Sequence, residues 1–207
     1  MHPNPVYHSA DRQQNLDFAR DRGFGVLALA GDGAPLLAHV PFVIAPDGES
    51  LELHLMRSNP MARALDRPKP AVLAISGPDG YVSPDWYGIA DQVPTWNYVA
   101  VHLTGTLEPR PEAELRGLLD RLSATFEERL LPKPPWDSAK MDAGALARLM
   151  RMIVPARMRI EAVAGTWKLS QNKAGAVRLR AADHMAAQGI GAGTGDLAAL
   201  MRGVGET

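Results

Sequence analysis

Short strand-like segments separated by hairpin-length turns fill the first third of the chain, and this pattern limits the fold more than any other feature. Residues 24–30 form a continuous apolar run, 36–44 are mostly apolar, and 51–55 alternate leucine with polar residues. A Gly-Asp-Gly turn and a Pro-Asp-Gly turn separate the three segments. Apolar runs and strict alternation bounded by such turns are typical of β-strands. Because no strand–helix unit repeats, the pattern predicts an antiparallel barrel rather than a doubly wound parallel sheet.

Further strands and several helices complete the predicted architecture. The remaining apolar or alternating segments predict strands at 71–76, 99–104 and 158–167. Leucines at three- and four-residue spacing predict inserted helices near 111–131 and 143–153. We also expect a first helix that Ser9 caps and Gly23 ends. The fold class is therefore mainly β with peripheral helices (α+β), built on an antiparallel β-barrel.

The two ends of the sequence differ in composition. Residues 1–180 carry all the predicted strands, and we expect them to form one domain. Residues 181–207 are rich in glycine and contain a short amphipathic stretch. We expect this part to be a C-terminal tail with one short helix.

Charge and cysteine content exclude broad classes of function. The 207 residues include no cysteine, which excludes disulfides, thiol catalysis and cysteine-ligated metal sites. The formal net charge is −1, so the whole chain has no general attraction to nucleic acid or to acidic membranes. No segment has the roughly 20 apolar residues of a membrane-spanning helix, and no signal peptide is visible. We expect a cytoplasmic protein that does not enter the membrane.

The first candidate site is the segment Arg57-Ser58-Asn59-Pro60, directly after the third strand. Asn59 can cap a short helix over 60–66, and proline suits the first position of a helix. A helix N-terminus favours an anion, and Arg57 and Ser58 could complete a phosphate site. The alternative is a plain capped helix with a solvated arginine.

The second candidate is the aromatic segment 81–98, in which five of the twelve aromatic residues of the chain lie. They alternate with hydrogen-bonding residues that include Thr95 and Asn97. Such a mixture suits a flat heteroaromatic ligand. A loop held in place by its aromatic side chains over one end of the barrel would have the same composition.

The third candidate is the polar run from Lys168 to Lys173. Its two lysines and its hydroxyl and amide side chains could bind an anion or the polar edge of a ring, although an exposed turn has the same character. His39, His54 and His102 lie in predicted strands without a familiar ligand spacing, so the sequence favours structural histidines over a metal site. No set of residues forms a recognisable nucleophilic or acid–base arrangement, and no catalytic residue is assigned.

The three candidate segments belong to a longer series of motifs that resembles a known family. The motifs are His39-Val40-Pro41-Phe42, Leu55-Met56-Arg57-Ser58-Asn59-Pro60, Ser76-Gly77-Pro78-Asp79-Gly80-Tyr81-Val82-Ser83-Pro84-Asp85-Trp86-Tyr87, Val93-Pro94-Thr95-Trp96-Asn97-Tyr98 and Lys168-Leu169-Ser170-Gln171-Asn172-Lys173. In this order they resemble the PaiB-like FMN-binding negative transcriptional regulators. The resemblance covers roughly residues 1–180. It implies an FMN-binding split β-barrel and a homodimer with flavin at the subunit interface.

The resemblance also implies a role for each candidate segment. The residues that match the phosphate-binding positions of split barrels are Arg57, Ser58 and Asn59. Those expected against the flavin ring are Thr95, Trp96 and Asn97. Those that could reach the flavin from the same or the partner subunit are Lys168, Ser170, Gln171 and Asn172.

Two functions remain open at this stage. The family implies a negative transcriptional regulator or a flavin-linked sensor, whereas the split-barrel fold also serves FMN-dependent oxidoreductases. An oxidoreductase would resemble flavin reductases or pyridoxamine-phosphate oxidases and would use NAD(P)H or a small-molecule donor. Direct DNA binding fits the near-neutral charge poorly, since the densest basic stretch holds only Arg148, Arg151, Arg157 and Arg159.

Overall fold

A computed structural model describes every residue of the chain except 32, 206 and 207. The chain forms two compact units. The barrel unit comprises residues 19–74 and 103–163, and the terminal unit comprises 1–18, 75–102 and 164–207.

Six antiparallel strands close the barrel in the order β1-β2-β3-β6-β5-β4. Their bounds are β1 Phe24–Leu29, β2 Leu36–Ile44, β3 Ser50–Met56, β4 Lys69–Val82, β5 Thr95–Pro109 and β6 Ile153–Lys168. Alternate side chains of β1, β2 and β3 are buried, among them Leu27, Phe42 and Leu53. The period of two in the sequence thus places one face of each strand in the core, and the predicted antiparallel barrel is confirmed.

Register is fixed between the strands of the barrel unit. Val26 lies opposite His39 of β2 on one side and Ala74 of β4 on the other. In the pairing of β3 with β6, Leu53 lies opposite Ala156. Strand β1 therefore pairs with β2 on one side and with β4 on the other, and its pairing with β4 closes the sheet into a barrel.

Six α-helices accompany the strands in the described residues. Their bounds are α1 Arg12–Arg22, α2 Pro60–Ala64, α3 Leu115–Glu127, α4 Ala143–Met150, α5 Gly175–Gln188 and α6 Thr194–Gly203. Gly23 ends α1 with a φ of +55°, as predicted from the freedom of glycine in the left-handed region. The cap at the start of α1 is Asp11 rather than Ser9, because the backbone N–H of Gln14 donates to Asp11 Oδ1 at 2.7 Å.

Strand β4 is longer than the predicted 71–76 and includes the Gly-Pro-Asp-Gly run, which has the composition of a turn. The two glycines permit close packing inside the terminal unit. A Cβ at Gly77 would lie 2.7 Å from the Phe18 ring, and one at Gly80 would lie 2.6 Å from Met185 Sδ. Part of the predicted aromatic loop is thus β-structure, because small residues allow a strand where larger ones would clash.

The terminal unit has a core of its own around α5 and α6. Ala181, Met185, Leu197 and Met201 are fully buried there with Trp167 of β6. Residue 180 lies within α5, so the proposed boundary at 180 falls inside a helix. Among the described residues, no helix has the length and apolar character needed to cross a bilayer.

Candidate functional site

A cavity of about 220 Å³ in the terminal unit brings together polar side chains from distant parts of the sequence; we call it the polar cavity. The residues that line it are Tyr7, Tyr87, Asp91, Gln92, Val93, Thr95, Asn97, Lys168, Ser170, Asn172 and Lys173. Strand β5 supplies two of them, and the end of β6 with the residues after it supplies four. The chain thus concentrates hydrogen-bonding groups and two cations around one small space.

Ser170 is the centre of the buried hydrogen bonds in this cavity. Its Oγ lies 2.8 Å from Tyr87 Oη and accepts a hydrogen bond from Asn97 Nδ2 at 2.8 Å. Asn97 Nδ2 also lies 3.5 Å from Met201 Sδ of α6. Ser170 has a φ of +61°, which is rare for a residue with a side chain. These contacts hold both the Ser170 backbone and the Asn97 amide in place.

The other end of the Asn97 amide has no partner. Asn97 is completely buried, and its Oδ1 forms no hydrogen bond within the described structure. A buried acceptor without a donor costs stability, on the order of 1–3 kcal/mol. Asn97 lines the cavity, so a ligand that brings an N–H or O–H donor within hydrogen-bond distance of Oδ1 would remove that cost.

Two lysines give the cavity positive charge. Lys168 Nζ donates to Thr95 Oγ1 and lies 5.8 Å from the centre of the Tyr7 ring. Lys173 Nζ donates to Gln92 Oε1 and lies 5.2 Å from the centre of the Tyr87 ring. Burial lowers the pKa of the Lys168 ammonium below its ordinary value. Asp91 also lines the cavity and opposes part of this positive charge, so the lysines suit the cavity mainly to the acceptor atoms of a ligand.

The two tyrosines remain protonated at neutral pH. Burial raises the pKa of the Tyr87 phenol, and the hydrogen bond with Ser170 offsets part of this effect. Burial, together with the nearby Tyr87, also raises the pKa of Tyr7. Both phenols can therefore act as hydrogen-bond donors in the cavity.

Of the seven residues predicted in the second and third segments, five meet in this cavity. They are Thr95, Asn97, Lys168, Ser170 and Asn172. Trp96 lies outside the cavity lining, 47% exposed, with its ring edge-on to Tyr81 at 6.4 Å. Gln171 is buried with its amide satisfied, since Oε1 accepts from Leu169 N and Nε2 donates to the carbonyls of Trp167 and Val6.

The first predicted segment lies in the barrel unit and has protein partners of its own. Arg57 Nη2 donates to Glu112 Oε1 at 2.7 Å, and Arg57 Nε donates to the Arg151 carbonyl at 3.0 Å. Asn59 Oδ1 caps α2 by accepting from Met61 N, as the sequence predicted. The carbonyl of Ser58 accepts from Arg63 Nη1. The assignment of phosphate to Arg57, Ser58 and Asn59 stays a prediction, and a phosphate there would compete with Glu112 for the guanidinium.

Six residues that line the cavity, and Met201 next to Asn97, were not assigned a role from the sequence. The six are Tyr7, Tyr87, Asp91, Gln92, Val93 and Lys173. Tyr87 and Lys173 belong to the motifs that resemble the PaiB-like family, so the sequence could have indicated them as ligand-binding residues. Tyr7 and Met201 had no local signal, because they approach Lys168 and Asn97 only through the tertiary fold.

His39, His54 and His102 belong to no candidate metal site within the described part of the chain. Among the described residues, no group of three or more histidine, aspartate or glutamate side chains is arranged to hold an ion. Burial lowers the pKa of His54 and of His102. His54 Nδ1 is buried without a hydrogen-bond partner, so this histidine is neutral but not fully satisfied.

The fold places the protein in a class, that of closed antiparallel barrels, and the polar cavity is its candidate ligand site. Residues 1–162 match the family described as "Putative FMN-binding domain". The chain belongs to this family, and FMN is the cofactor that membership assigns to it.

Individual proteins agree with this assignment. The chain is 27% identical over 172 residues to protein PAI 2 of Bacillus subtilis, named for protease synthase and sporulation, with 82% of each chain covered. It is 28% identical over 205 residues to an uncharacterized protein of Aspergillus fumigatus, covering 74% of this chain and 78% of that protein. These similarities confirm the PaiB-like resemblance.

Solved structures confirm the fold. A FAD- and heme-binding protein from Mycobacterium smegmatis superposes with a TM-score of 0.58 at 20% identity, covering 89% of this chain and 81% of that chain. A conserved hypothetical protein from Mycobacterium tuberculosis superposes with a TM-score of 0.55 at 16% identity, covering 84% and 94%.

The residues of the polar cavity fit one end of FMN. The pyrimidine edge of the flavin ring carries one N–H donor between two carbonyl acceptors. The unpartnered Asn97 Oδ1 needs a donor, and Lys168 supplies donors for an adjacent acceptor. The cavity is smaller than the roughly 300–1,000 Å³ of typical ligand pockets, so it can enclose one end of the molecule only.

Proposed function

We propose that the chain is a flavin-linked regulatory protein that acts as a homodimer and holds the pyrimidine edge of FMN in the polar cavity. The observation that carries this proposal is the buried, unpartnered Oδ1 of Asn97, a residue that lines the same cavity as Lys168. When bound, FMN supplies reversible electron uptake, which is what a redox-linked sensor needs.

The donor requirement of Asn97 favours the ring edge over the phosphate in this cavity. A phosphate dianion offers only acceptors, so it would leave Asn97 Oδ1 without a donor. The ring edge satisfies Asn97 through its N–H and accepts hydrogen bonds from Lys168 through a carbonyl. Tyr87 and Ser170 fix the Asn97 amide, so this geometry exists before the ligand arrives.

A second copy of the chain would contact the part of FMN that the polar cavity does not enclose. A cavity of about 220 Å³ leaves most of FMN outside it. Val93 lines the cavity and is 71% exposed, and Trp96, next to cavity residues in β5, is about half exposed. Apolar side chains at a cavity mouth favour coverage by another protein surface. We infer that the partner subunit covers the flavin at this mouth.

Regulation through the flavin explains the family's role better than direct reading of DNA. Arg157 Nη2 pairs with Glu52 at 3.0 Å, and Arg159 pairs with Glu161 at 2.7 Å. These pairs reduce the positive charge of the basic stretch that the sequence offered for DNA. The name of the Bacillus subtilis relative, which refers to protease synthesis and sporulation, agrees with a regulatory role.

The test of binding is a spectrum of the purified protein mixed with FMN. We expect the flavin fluorescence to be quenched and the absorbance band to shift as FMN enters the cavity. The test of DNA binding is a gel shift with wild type and an Arg148→Ala, Arg151→Ala double variant. We expect no specific shift with either protein, and a shift that the double variant loses would restore direct DNA binding.

An FMN-dependent oxidoreductase is the second candidate, and one observation favours it. The polar cavity holds groups that can exchange protons beside the ring: Lys168 with a lowered pKa and the phenol of Tyr87 hydrogen-bonded to Ser170. Steady oxidation of NADH or NADPH well above the rate with free FMN would establish turnover. A rate equal to that of free FMN would support the sensor.

A further inference from the structure

A second cavity of about 610 Å³ lies in the same terminal unit; we call it the apolar cavity. It is bounded by the N-terminal segment around Val6 and Ala10, by Trp167 and Leu169, and by the end of α6 around Leu200. Its volume falls within the roughly 300–1,000 Å³ of small-molecule sites. The space is therefore large enough for a complete small ligand, unlike the polar cavity.

The wall of the apolar cavity selects against charge. None of the described residues that line it is charged, and its polar side chains are Ser9, Gln14 and Gln171. Gln171 uses its amide oxygen and nitrogen on backbone groups, so it has little capacity left for a ligand. Ser9 and Gln14 are exposed and could bind one polar group at the mouth. An uncharged, mainly apolar molecule is the occupant that this wall suits.

The two cavities share a wall. Trp167, Leu169 and Gln171 line the apolar cavity, whereas Lys168, Ser170 and Asn172 line the polar cavity. Successive residues of this segment, which runs from the end of β6 into a turn, therefore line different cavities. Any shift of the backbone over 167–172 changes both cavities at once.

The middle of this wall is held from both sides. Tyr87 and Asn97 bind the Ser170 hydroxyl from the polar cavity, and the Gln171 amide ties Leu169 N to the carbonyls of Trp167 and Val6. Ser170 keeps its φ of +61° between these two sets of contacts. A non-glycine residue in this region persists only where its surroundings impose the conformation, so the wall is sensitive to changes on either side.

We propose that the apolar cavity binds a small uncharged apolar molecule, and that its occupancy changes the FMN affinity of the polar cavity through residues 167–172. The binding half stands independently. The coupling half rests on the proposed function, because it requires FMN in the polar cavity.

The binding half is tested on flavin-free protein with N-phenyl-1-naphthylamine, an uncharged probe that fluoresces in apolar surroundings. We expect saturable fluorescence and energy transfer from the tryptophans of the terminal unit, among which Trp167 lies in the cavity wall. Gly203→Phe should weaken probe binding at least about tenfold, a loss of about 1.4 kcal/mol. A Cβ at Gly203 meets no atom within 4 Å, so the new side chain has room to occupy the cavity.

The matched control is Gly195→Phe in the same helix. A Cβ there also meets no atom within 4 Å, and Gly195 is not part of the cavity lining. We expect this control to bind the probe as wild type does. Ala199→Phe, on an exposed lining position of α6, repeats the test if Gly203→Phe does not fold. Absence of probe binding, or equal binding by the filled variants and the control, overturns the apolar site.

The coupling half is tested by titrating FMN with and without saturating probe, with excitation in the visible flavin band. We expect the Kd of FMN to change by about fivefold or more, and the Kd of the probe to change by the same factor when FMN is bound. Probe binding without any change in the Kd of FMN overturns the coupling. If FMN does not bind at all, the proposed function and the coupling are both overturned, while the first titration still decides the apolar site.

Discussion

At the scale of single residues, Asn97 lowers the stability of the flavin-free protein, and we propose that the same residue contributes to FMN binding. Its Oδ1 is buried without a donor, whereas its Nδ2 is fixed by Ser170. Native proteins rarely retain a buried acceptor in this state unless it has a role. We propose that the role of Asn97 Oδ1 is to accept a hydrogen bond from the N–H of the flavin ring.

Asn97→Leu separates this role from stability. We expect FMN affinity to fall about tenfold, since a hydrogen bond of about 1–1.5 kcal/mol is lost. The free energy of unfolding of the flavin-free protein should change by less than about 1 kcal/mol, because the lost hydrogen bonds to Ser170 and Met201 are offset by removal of the unpaired oxygen. Flavin titration and urea unfolding measure the two quantities. A variant that loses stability but binds FMN normally would contradict this role.

Arg57 provides a second prediction at this scale. If Arg57 binds the flavin phosphate, Arg57→Ala should cost roughly 1.5–3 kcal/mol of FMN affinity, the scale of a hydrogen bond to a charged group. Glu112→Gln should maintain or increase the affinity, because it releases the guanidinium from its carboxylate partner. Arg67→Ala, an exposed arginine beside Asp66, serves as the control. Unchanged affinity in Arg57→Ala would place the phosphate elsewhere.

Sequence reasoning located single residues where their chemistry was concentrated locally. Lys168, Ser170 and Asn172 lie in one polar run, and they line one cavity. The same reasoning could not separate Gln171 from its neighbours, because alternate residues of the run face opposite cavities. Nor could it find Tyr7, which lies more than 150 residues from Lys168 along the chain.

At the scale of elements, the buried Arg178 holds α6 against α5. Its side chain is 5% exposed, its Nε donates to the Met201 carbonyl at 3.0 Å, and its Nη2 donates to the Val204 carbonyl at 2.7 Å. These carbonyls lie at the C-terminal end of α6, where a cation is favourable. Helix α6 contributes Met201 to the surroundings of Asn97, so this clamp also supports the polar cavity.

Arg178→Met should therefore destabilise the terminal unit. We expect a loss of about 2–3 kcal/mol in the free energy of unfolding, because two carbonyls lose a charged donor. Hydrogen exchange should show the loss first in α6. Arg180→Met is the matched control on α5, since Arg180 is exposed and donates a 3.3 Å hydrogen bond to the Gly88 carbonyl. Equal unfolding curves for the two variants would argue against the clamp.

The ends of the strands could be predicted from the sequence where apolar and polar residues alternate. They were harder to predict where glycine and other small residues interrupt the alternation. Strands β1 to β3 and helix α2 follow the predicted segments closely. Strand β4 extends beyond its prediction because Gly77 and Gly80 pack against Phe18 and Met185, a tertiary effect with no local signal. Helix α5 is weakly amphipathic, and the sequence alone indicated only one helix near the C-terminus.

At the scale of the whole molecule, the barrel could be predicted because apolar residues repeat with a period of two in its strands. Dimer formation could not be predicted in this way, because the hydrophobic pattern of one chain does not show which surfaces of two chains meet. Val93 is the most direct test of the proposed dimer, since it is exposed and lines the polar cavity. Val93→Asp should weaken dimer formation and FMN binding together, because it places a charge in an apolar interface. Sedimentation over a dilution series and flavin titration measure the two effects.

The control for this prediction is Leu149→Asp, a charge at an exposed leucine of α4 in the barrel unit. We expect it to leave both quantities unchanged. A monomeric wild type that still binds FMN fully would contradict the inferred role of the partner subunit.

An equilibrium titration of flavin-free protein with FMN tests the central claim most directly. We expect saturable quenching of flavin fluorescence at micromolar FMN, with one flavin per chain. Lys168→Met should weaken binding by about tenfold or more through loss of a charged donor, and Lys140→Met, an exposed lysine of the barrel unit, should bind as wild type does. No spectral change at micromolar FMN, or equal affinities for wild type and Lys168→Met, would contradict the account.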